Sequence, residues 1–329
     1  MLAINTNSLV KTYRTRIKPE GLGASFRALV KPDWKEIQAV NSISLNVEQG
    51  EIVSFIGPNG AGKSTFIKML CGILHPTSGE ISVLGMSPVL ERRKLALRMG
   101  TVFGQKSQLW MHLPAVDSFT LLAAIYEIDD AERRQRVAEL SELFELGEFL
   151  QTPVRKLSLG QRIRCEVAAS LLHNPELLFL DEPTIGLDVV VKQAIRELIL
   201  RRNKEQGTTV FLTSHDPSDI EQLCRRAVVI DRGGIVLDSP IEKMKSDYLG
   251  EKRVEVSFSF PQIIPELAGV TTIIESGGLK AILTVDTNIC PIGDVMEQLS
   301  ALGHVLDITI SNPPMEDIIS TIFQKEACK

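Results

Sequence analysis

The chain has 329 residues, 44% of them hydrophobic and 23% charged, with a formal net charge of −5. Such values belong to an ordinary globular protein, long enough for one large domain and a smaller addition. A pI near 5.7 argues against a general nucleic-acid binder, and no apolar run approaches the roughly 18 residues that span a bilayer. The N-terminus, MLAINTNSLVKTYRTR, lacks the apolar core of a signal peptide. Cys71, Cys165, Cys224, Cys290 and Cys328 are scattered and form no CxxC pair, which suits reduced thiols better than disulfides or a zinc site. Any action at a membrane then calls for another chain to do the spanning.

From about residue 4 to 240, short apolar runs alternate with amphipathic patterns, which predicts a parallel sheet with helices on its faces. Residues 14–37 interrupt this pattern early: two prolines, two glycines and an excess of basic residues read as an inserted loop or short helix. It is either a solvated insertion or a contact for anionic headgroups or a membrane partner. EIVSFIG (51–57), LLFL (177–180) and TTVFLTS (208–214) read as strands covered on both faces. AERRQRVAELSELFELGEFL (131–150) sets Val137, Leu140 and Phe144 on one helical face, within a helical subdomain over 105–172. A polar segment, 241–252, reads as a linker. Beyond it, RVEVSFSF and LKAILTVD alternate like strands, while IGDVMEQLSALG and MEDIISTIF have helical spacing, so 253–329 reads as a small α+β domain. No catalytic spacing of His, Cys or paired acids occurs there.

The chemistry is concentrated in a few short stretches. GPNGAGKST, residues 57–65, fits GxxxxGK[ST] and lies between a strand and a helix, the context that a phosphate-binding loop requires. Gly57, Pro58, Asn59, Gly60, Ala61 and Gly62 let backbone N–H groups close around phosphate oxygens. Lys63 bridges the β- and γ-phosphates, Ser64 is placed to ligate Mg2+, and Thr65 ends the same nucleotide-binding stretch. In LLFLDEP, Asp181 ends a buried strand and holds magnesium through water, with Glu182 beside it to polarise the attacking water. His215 and Gln105 each follow a strand at its carboxyl end, where ligands of α/β sheets gather. His215 is within reach of a γ-phosphate, a structural histidine being the alternative, and Gln105 is placed to touch metal or water.

LSLGQRIRCE (157–166) reads as a helix start, with Ser158 as N-cap and Gly160 leaving the backbone bare where the first free N–H groups point outward. Ile163, Val167 and Leu171 follow at helical spacing.

In this order, GPNGAGKST, the glutamine at Gln105, LSLGQ, LFLDEP, the GLD at 186–188 and His215 resemble the nucleotide-binding subunits of ABC transporters over about residues 4–240. The wording VFGQKSQLW, KLSLGQR and LDEPTIGLDVV is most similar to the ATPases of ABC-2 type exporters, the drug, antibiotic and viologen-like group. The resemblance implies an α/β phosphate-loop core with a parallel sheet, an antiparallel β edge and a helical subdomain, binding ATP and Mg2+. It implies that Tyr13 stacks on adenine, that Gln105 contacts the metal, and that His215 serves catalysis. It also implies that Ser158, Gly160, Gln161 and Asp188 help to complete the site of a second ATP-binding subunit, head to tail. Leu159 stands where the family's LSGGQ has a glycine. Permease subunits of ABC-2 type are the implied membrane partners, which puts the chain on the cytoplasmic face. QKSQLWMHLPAVDSF (105–119) matches the region that receives a permease helix in the family. Its apolar residues Leu109, Trp110, Met111 and Leu113 form either that anchor or local packing. An importer ATPase or a soluble non-transport ABC ATPase are the alternatives. A GTPase is disfavoured because NKEQ (203–206) fails as a guanine motif.

Overall fold

An apolar run without a polar face needs cover on both sides, and this chain covers three such runs with helices and with a second sheet. The computed structural model describes residues 1–16, 34–103, 107–214, 216–247 and 250–327, in two units, Met1–Asp238 and Ser239–Lys329. The first unit begins with two long antiparallel strands, β1 (Leu2–Arg16) and β2 (Trp34–Glu48), followed by β3 (Ile52–Ile56), helix α1 (Lys63–Leu70) and β4 (Ser78–Val83). A short helix α2 (Arg92–Ala96) leads to β5 (Met99–Phe103), then to α3 (Ala115–Ile125), α4 (Asp130–Leu143) and α5 (Leu159–Leu171). β6 (Leu177–Asp181), α6 (Val189–Gln206), β7 (Thr209–Thr213), α7 (Pro217–Leu223), β8 (Arg226–Asp231) and β9 (Gly234–Pro240) follow.

Two sheets result. One has the order β5-β6-β7-β3-β8-β9, with β5, β6, β7, β3 and β8 parallel; the other is antiparallel, β2-β1-β4. They share one core: Ile4, Leu9, Val40 and Leu45 from the antiparallel sheet meet Phe55, Phe179 and Phe211 from the parallel one. Helix α1 lies in this core, and Phe66 stacks on Phe55 at 5.1 Å between ring centroids. Burying a Phe side chain contributes about 1.5–3 kcal/mol, so the helix after the phosphate loop has little freedom to shift.

Val137, Leu140 and Phe144 are buried as their spacing predicts. Their helix stops at Leu143, short of the predicted 150, because the chain turns at Phe144 and Glu145, the latter at φ 52°. The basic segment 14–37 differs from expectation at both ends. Arg14–Arg16 and Trp34–Ile37 are not loop but the ends of β1 and β2, in register, with Arg14 on Glu36 at 2.7 Å. Thr15, Trp34 and Ile37 are good strand formers, which explains why pairing outlasts the charge. Residues 17–33 lie outside the described residues.

In the second unit, β10 (Glu251–Phe258), β11 (Val270–Glu275), β12 (Lys280–Asp286) and β13 (Val305–Ser311) form an antiparallel sheet ordered β11-β12-β10-β13. Val254, Val256, Leu283 and Val285 pack with Val295 and Leu299 of a helix, α9 (Ile292–Ala301). The stretch read as a linker carries a helix, α8 (Ile241–Asp247), which buries Ile241 and Met244, and the chain ends in α10 (Met315–Ala327). A seven-residue helix with only two apolar contacts gives too weak a period to stand out in sequence.

His173 follows α5 with its ring stacked on Tyr126, 3.7 Å between centroids. Nε2 lies 3.0 Å from the Met99 carbonyl, and Nδ1 is buried without a partner among the described residues. Burial pushes its pKa down to about 4, against the bond to Met99 and helped by Arg136. An unfolded histidine titrates near 6.5, so acid charges the unfolded chain first, and stability drains between pH ~6.5 and ~4, by about 3 kcal/mol at most. His173→Gln keeps a donor for Met99 and should flatten the pH dependence of urea unfolding in that window. An unchanged slope would mean that the acid sensitivity arises elsewhere.

Candidate nucleotide site

The loop that leaves β3 can take only the shape it has. Gly62 sits at φ 105°, and a Cβ there would fall 2.2 Å from the Ala39 carbonyl oxygen. The loop is tied to its neighbours by the Gly233 N–H to Ala61 O, 3.0 Å, and the Asn41 N–H to Gly233 O, 2.7 Å. Helix α1 then starts with no side-chain cap and no acid in its first turn, so its leading N–H groups are open to an anion. Pro58, Asn59 and Gly60 are exposed, Ala61 is buried and Thr65 half-buried. Lys63 is buried, and its ammonium folds back to donate to Gly57 O at 2.5 Å and Pro58 O at 3.2 Å. Burial lowers its pKa, and the nearby carboxylates Glu182 and Asp181 oppose that shift. Neutral carbonyls are weaker partners for an ammonium than a phosphate is, so the lysine is held ready for exchange.

Asp181 ends β6 facing this loop. One carboxylate oxygen lies 3.4 Å from Ser64 Oγ, and the other accepts from Thr213 Oγ1 at 2.6 Å. The same threonine holds the next residue: the Glu182 N–H donates to Thr213 O at 3.0 Å and meets Oγ1 at 3.2 Å. Glu182 has φ 55°, a left-handed conformation that a glutamate adopts at a cost of about 1–3 kcal/mol. Strand β7 thus imposes the backbone turn that presents this carboxylate. Thr213, wholly buried, was missed in the sequence; a hydroxyl ending an apolar strand beside DE was its one signal.

The helix start at Ser158 is a full capping box. Ser158 Oγ accepts from the Gln161 N–H at 3.2 Å, and Gln161 Oε1 accepts from the Ser158 N–H at 3.0 Å. The N–H groups of Leu159 and Gly160 have no partner among the described residues. A Cβ on Gly160 would meet only Leu187 Cδ2, at an ordinary 3.7 Å, so nothing among the described residues demands glycine there. Leu159 leans instead on the turn after Glu182: a Cβ on Gly186 would come 2.8 Å from Leu159 Cδ2. That turn ends at Asp188, which caps α6 through the Val191 N–H at 3.0 Å, and it leaves Ile185, Val189 and Val190 exposed. Among the described residues, no hydrogen bond or ion pair joins Ser158, Gly160 or Gln161 to residues 57–65.

Gln105 and His215 lie outside the described residues. Just beyond Gln105, the buried Glu166 of α5 accepts from Ser107 Oγ and from the Gln108 N–H, at 3.1 Å for the latter. Burial raises its pKa, and those hydrogen bonds hold it down. Leu109 is buried, while Trp110 is 40% exposed with its N–H donated to Ser118 Oγ at 3.2 Å. Tyr13 is half-buried on β1 opposite Ile37, with the Lys11 ammonium 5.4 Å from its ring centroid. Glu166 escaped the sequence reading, since one acid at a helical position looks solvated.

A mixed α/β cassette with this loop, these carboxylates and a separate bare helix start defines an ATP-binding subunit. The family model for the ABC transporter domain matches residues 40–185. The chain is 31% identical over 297 residues to the daunorubicin resistance ATP-binding protein DrrA3 of Streptomyces coeruleorubidus, covering 85% of this chain and 90% of that one. It is 36% identical over 208 residues to the bacitracin transport ATP-binding protein BcrA of Bacillus licheniformis, covering 63% and 67%. Among solved structures, the dimeric ATP-binding cassette MJ0796, in a post-hydrolysis state with ADP and Pi, matches with TM-score 0.62 and 28% identity over 72% of this chain and 98% of that one. The chain belongs to the ATP-binding proteins of the ABC transporter family, and it is an ATPase.

Removing the ammonium in Lys63→Ala should weaken ATP binding about 10–100-fold, the value of a lost charge-assisted bond of about 1.5–3 kcal/mol. Fluorescent-nucleotide titration checks this. Wild-type affinity in the variant would contradict the placement of the phosphates at this loop.

Proposed function

We propose that the chain powers an ABC-2 type exporter through separate membrane-spanning permease subunits, acting as a head-to-tail pair of cassettes at the cytoplasmic face of the membrane. The observation that carries this reading is the bare helix start at Leu159 and Gly160, whose N–H groups no partner among the described residues satisfies. A γ-phosphate bound at the loop of a second copy supplies the missing anion. The exposed Ile185, Val189 and Val190 beside Gly186 then become buried contacts of the closed pair. The names of BcrA, a bacitracin transport ATP-binding protein, and DrrA3, a daunorubicin resistance ATP-binding protein, support export as the direction. No helix among the described residues is long and apolar enough to cross a membrane, which fits a division of labour with permeases.

In this reading, residues 4–240 are the cassette, with 105–172 as its helical subdomain, and 253–329 are an accessory domain; no nucleic acid is bound. Tyr13 stacks on adenine, and residues 57–65 hold the phosphates. Ser64 and Asp181 present adjacent oxygens, the hard donors Mg2+ takes together with nucleotide phosphates and water. Gln105 approaches the same position when the pair closes. Mg2+ supplies charge neutralisation of the β- and γ-oxygens. Glu182 accepts the proton of the attacking water, and His215 contacts the γ-phosphate. Ser158, Gly160, Gln161 and Asp188 serve the neighbouring subunit's nucleotide.

Glu182→Gln should slow hydrolysis about 10²–10⁴-fold and trap an ATP-bound dimer on gel filtration. Adding Gly160→Asp should abolish that dimer while each chain still binds ATP, because the new carboxylate opposes the γ-phosphate. A trapped dimer that survives Gly160→Asp would exclude the trans arrangement.

Trp110, half-exposed at a turn fixed to α3 and α5, is the proposed permease anchor, since aromatic side chains dominate interface centres. Trp110→Ala should weaken co-purification with the permease about tenfold or more and lower transport more than basal hydrolysis. Loss of folding without loss of permease binding would return Trp110 to the core.

A further inference from the structure

Asp219 of α7 is fully buried and uses both carboxylate oxygens. Oδ1 accepts from Arg196 Nε of α6 at 2.7 Å, and the second guanidinium contact is 2.6 Å. Oδ2 accepts from Ser214 Oγ at 2.9 Å and from Thr184 Oγ1. Lys192 and Asp216 close the network at 2.6 Å, and Arg196 reaches Asp216 at 3.6 Å. The ion pairs alone would join α6 to α7. What helix packing does not call for is the oxygen turned the other way, shared by hydroxyls from two loops at the ends of β6 and β7.

Those two loops are the ones the reaction uses. Thr184 is two residues past Glu182, at the start of the turn that continues to Gly186 and Asp188. Ser214 directly follows Thr213, which holds both Asp181 and the Glu182 backbone. Glu182 keeps a left-handed backbone that its own preference opposes, so the turn must be fastened on its far side as well as at Thr213.

We propose that Asp219 is a positioning residue for ATP hydrolysis: one buried carboxylate, anchored by Arg196, clamps the loop after Glu182 to the loop after Thr213 and so holds the base in its attacking position. The proposal rests on the reading of Glu182 as the base. It separates hydroxyl contacts that place the base from ion pairs that only hold helices together. The phosphate loop is fastened elsewhere, by the Gly233 N–H to Ala61 O, with Gly233 in turn held by the Asn41 N–H, so nucleotide binding is independent of the clamp.

The test is steady-state ATPase kinetics on the full chain, with nucleotide affinity and thermal unfolding measured on the same samples. Thr184→Val deletes one hydroxyl at constant volume and leaves the ion pairs whole. It should lower kcat about tenfold, as small misplacements of a reacting group do, with KM and nucleotide affinity within about twofold of wild type. Thr184→Ser restores the hydroxyl and should recover kcat. Asp219→Asn should lose kcat further, and if it does not fold, the threonine pair decides alone. Combining Thr184→Val with Ser214→Ala should cost less than the product of the single effects, because both hydroxyls serve one oxygen. Glu182→Gln is measured in parallel. Wild-type kcat in Thr184→Val beside a slow Glu182→Gln overturns the clamp and leaves the base in place. Wild-type turnover in Glu182→Gln overturns the base, and the clamp with it. A fall in melting temperature with unchanged kcat per folded site assigns Asp219 to stability alone.

Discussion

The site depends on keeping the start of α1 uncapped and immovable at once. Open N–H groups are a liability in any helix, and at α4, α5, α6 and α7 the side chains of Asp129, Ser158, Asp188 and Asp216 cover some of them. At α1 the sequence offers glycine at the cap position and no acid in the first turn, so the helix is held by packing instead. Phe66 against Phe55 and Phe211, with Ile67, Met69 and Leu70 buried around it, supplies that hold. The antiparallel sheet serves the same end from the other side: Ala39 on β2 is the wall that leaves no room for a side chain at Gly62.

A second helix start in the same chain solves the problem differently. At Ser158 the capping box satisfies two donors and leaves two, a partial cover that keeps the helix intact while its outer face stays receptive. The two helix starts differ in their surroundings. At the phosphate loop a buried lysine faces two acids; at Ser158 there is no charged side chain in the capping box at all.

Much of this was legible in the sequence for a simple reason. A phosphate loop, a buried strand ending in acids and a serine-capped helix are each local, and each is read within ten residues. Val137, Leu140 and Phe144 were legible because a period of 3.6 survives any partner. Thr213, Glu166 and Asp219 were not. Each reaches a partner 32 to 59 positions away, and pairing between distant polar residues leaves no periodic trace. The strand ends flanking residues 17–33 were hidden by composition: basic residues mask β-pairing when pairing is supplied by an opposite strand rather than by a core.

Leu159 shows how a departure from a common pattern can be absorbed. A leucine at the start of the helix adds a branched side chain where a glycine would leave space, and that side chain has to lie somewhere. It lies on Gly186, at a distance that a methyl group there would not allow. The glycine belongs to the turn that runs from Glu182 to Asp188, and it holds φ 70° as well. The leucine is therefore tolerated because the turn beside it was already built without a Cβ. Leu159 remains 45% exposed, as does Ile185, beside Gly186 in the chain, at 53%. Apolar surface of this kind favours burial by about 25 cal/mol per Å². The N–H groups of Leu159 and Gly160, without a partner among the described residues, begin the helix at this exposed apolar surface.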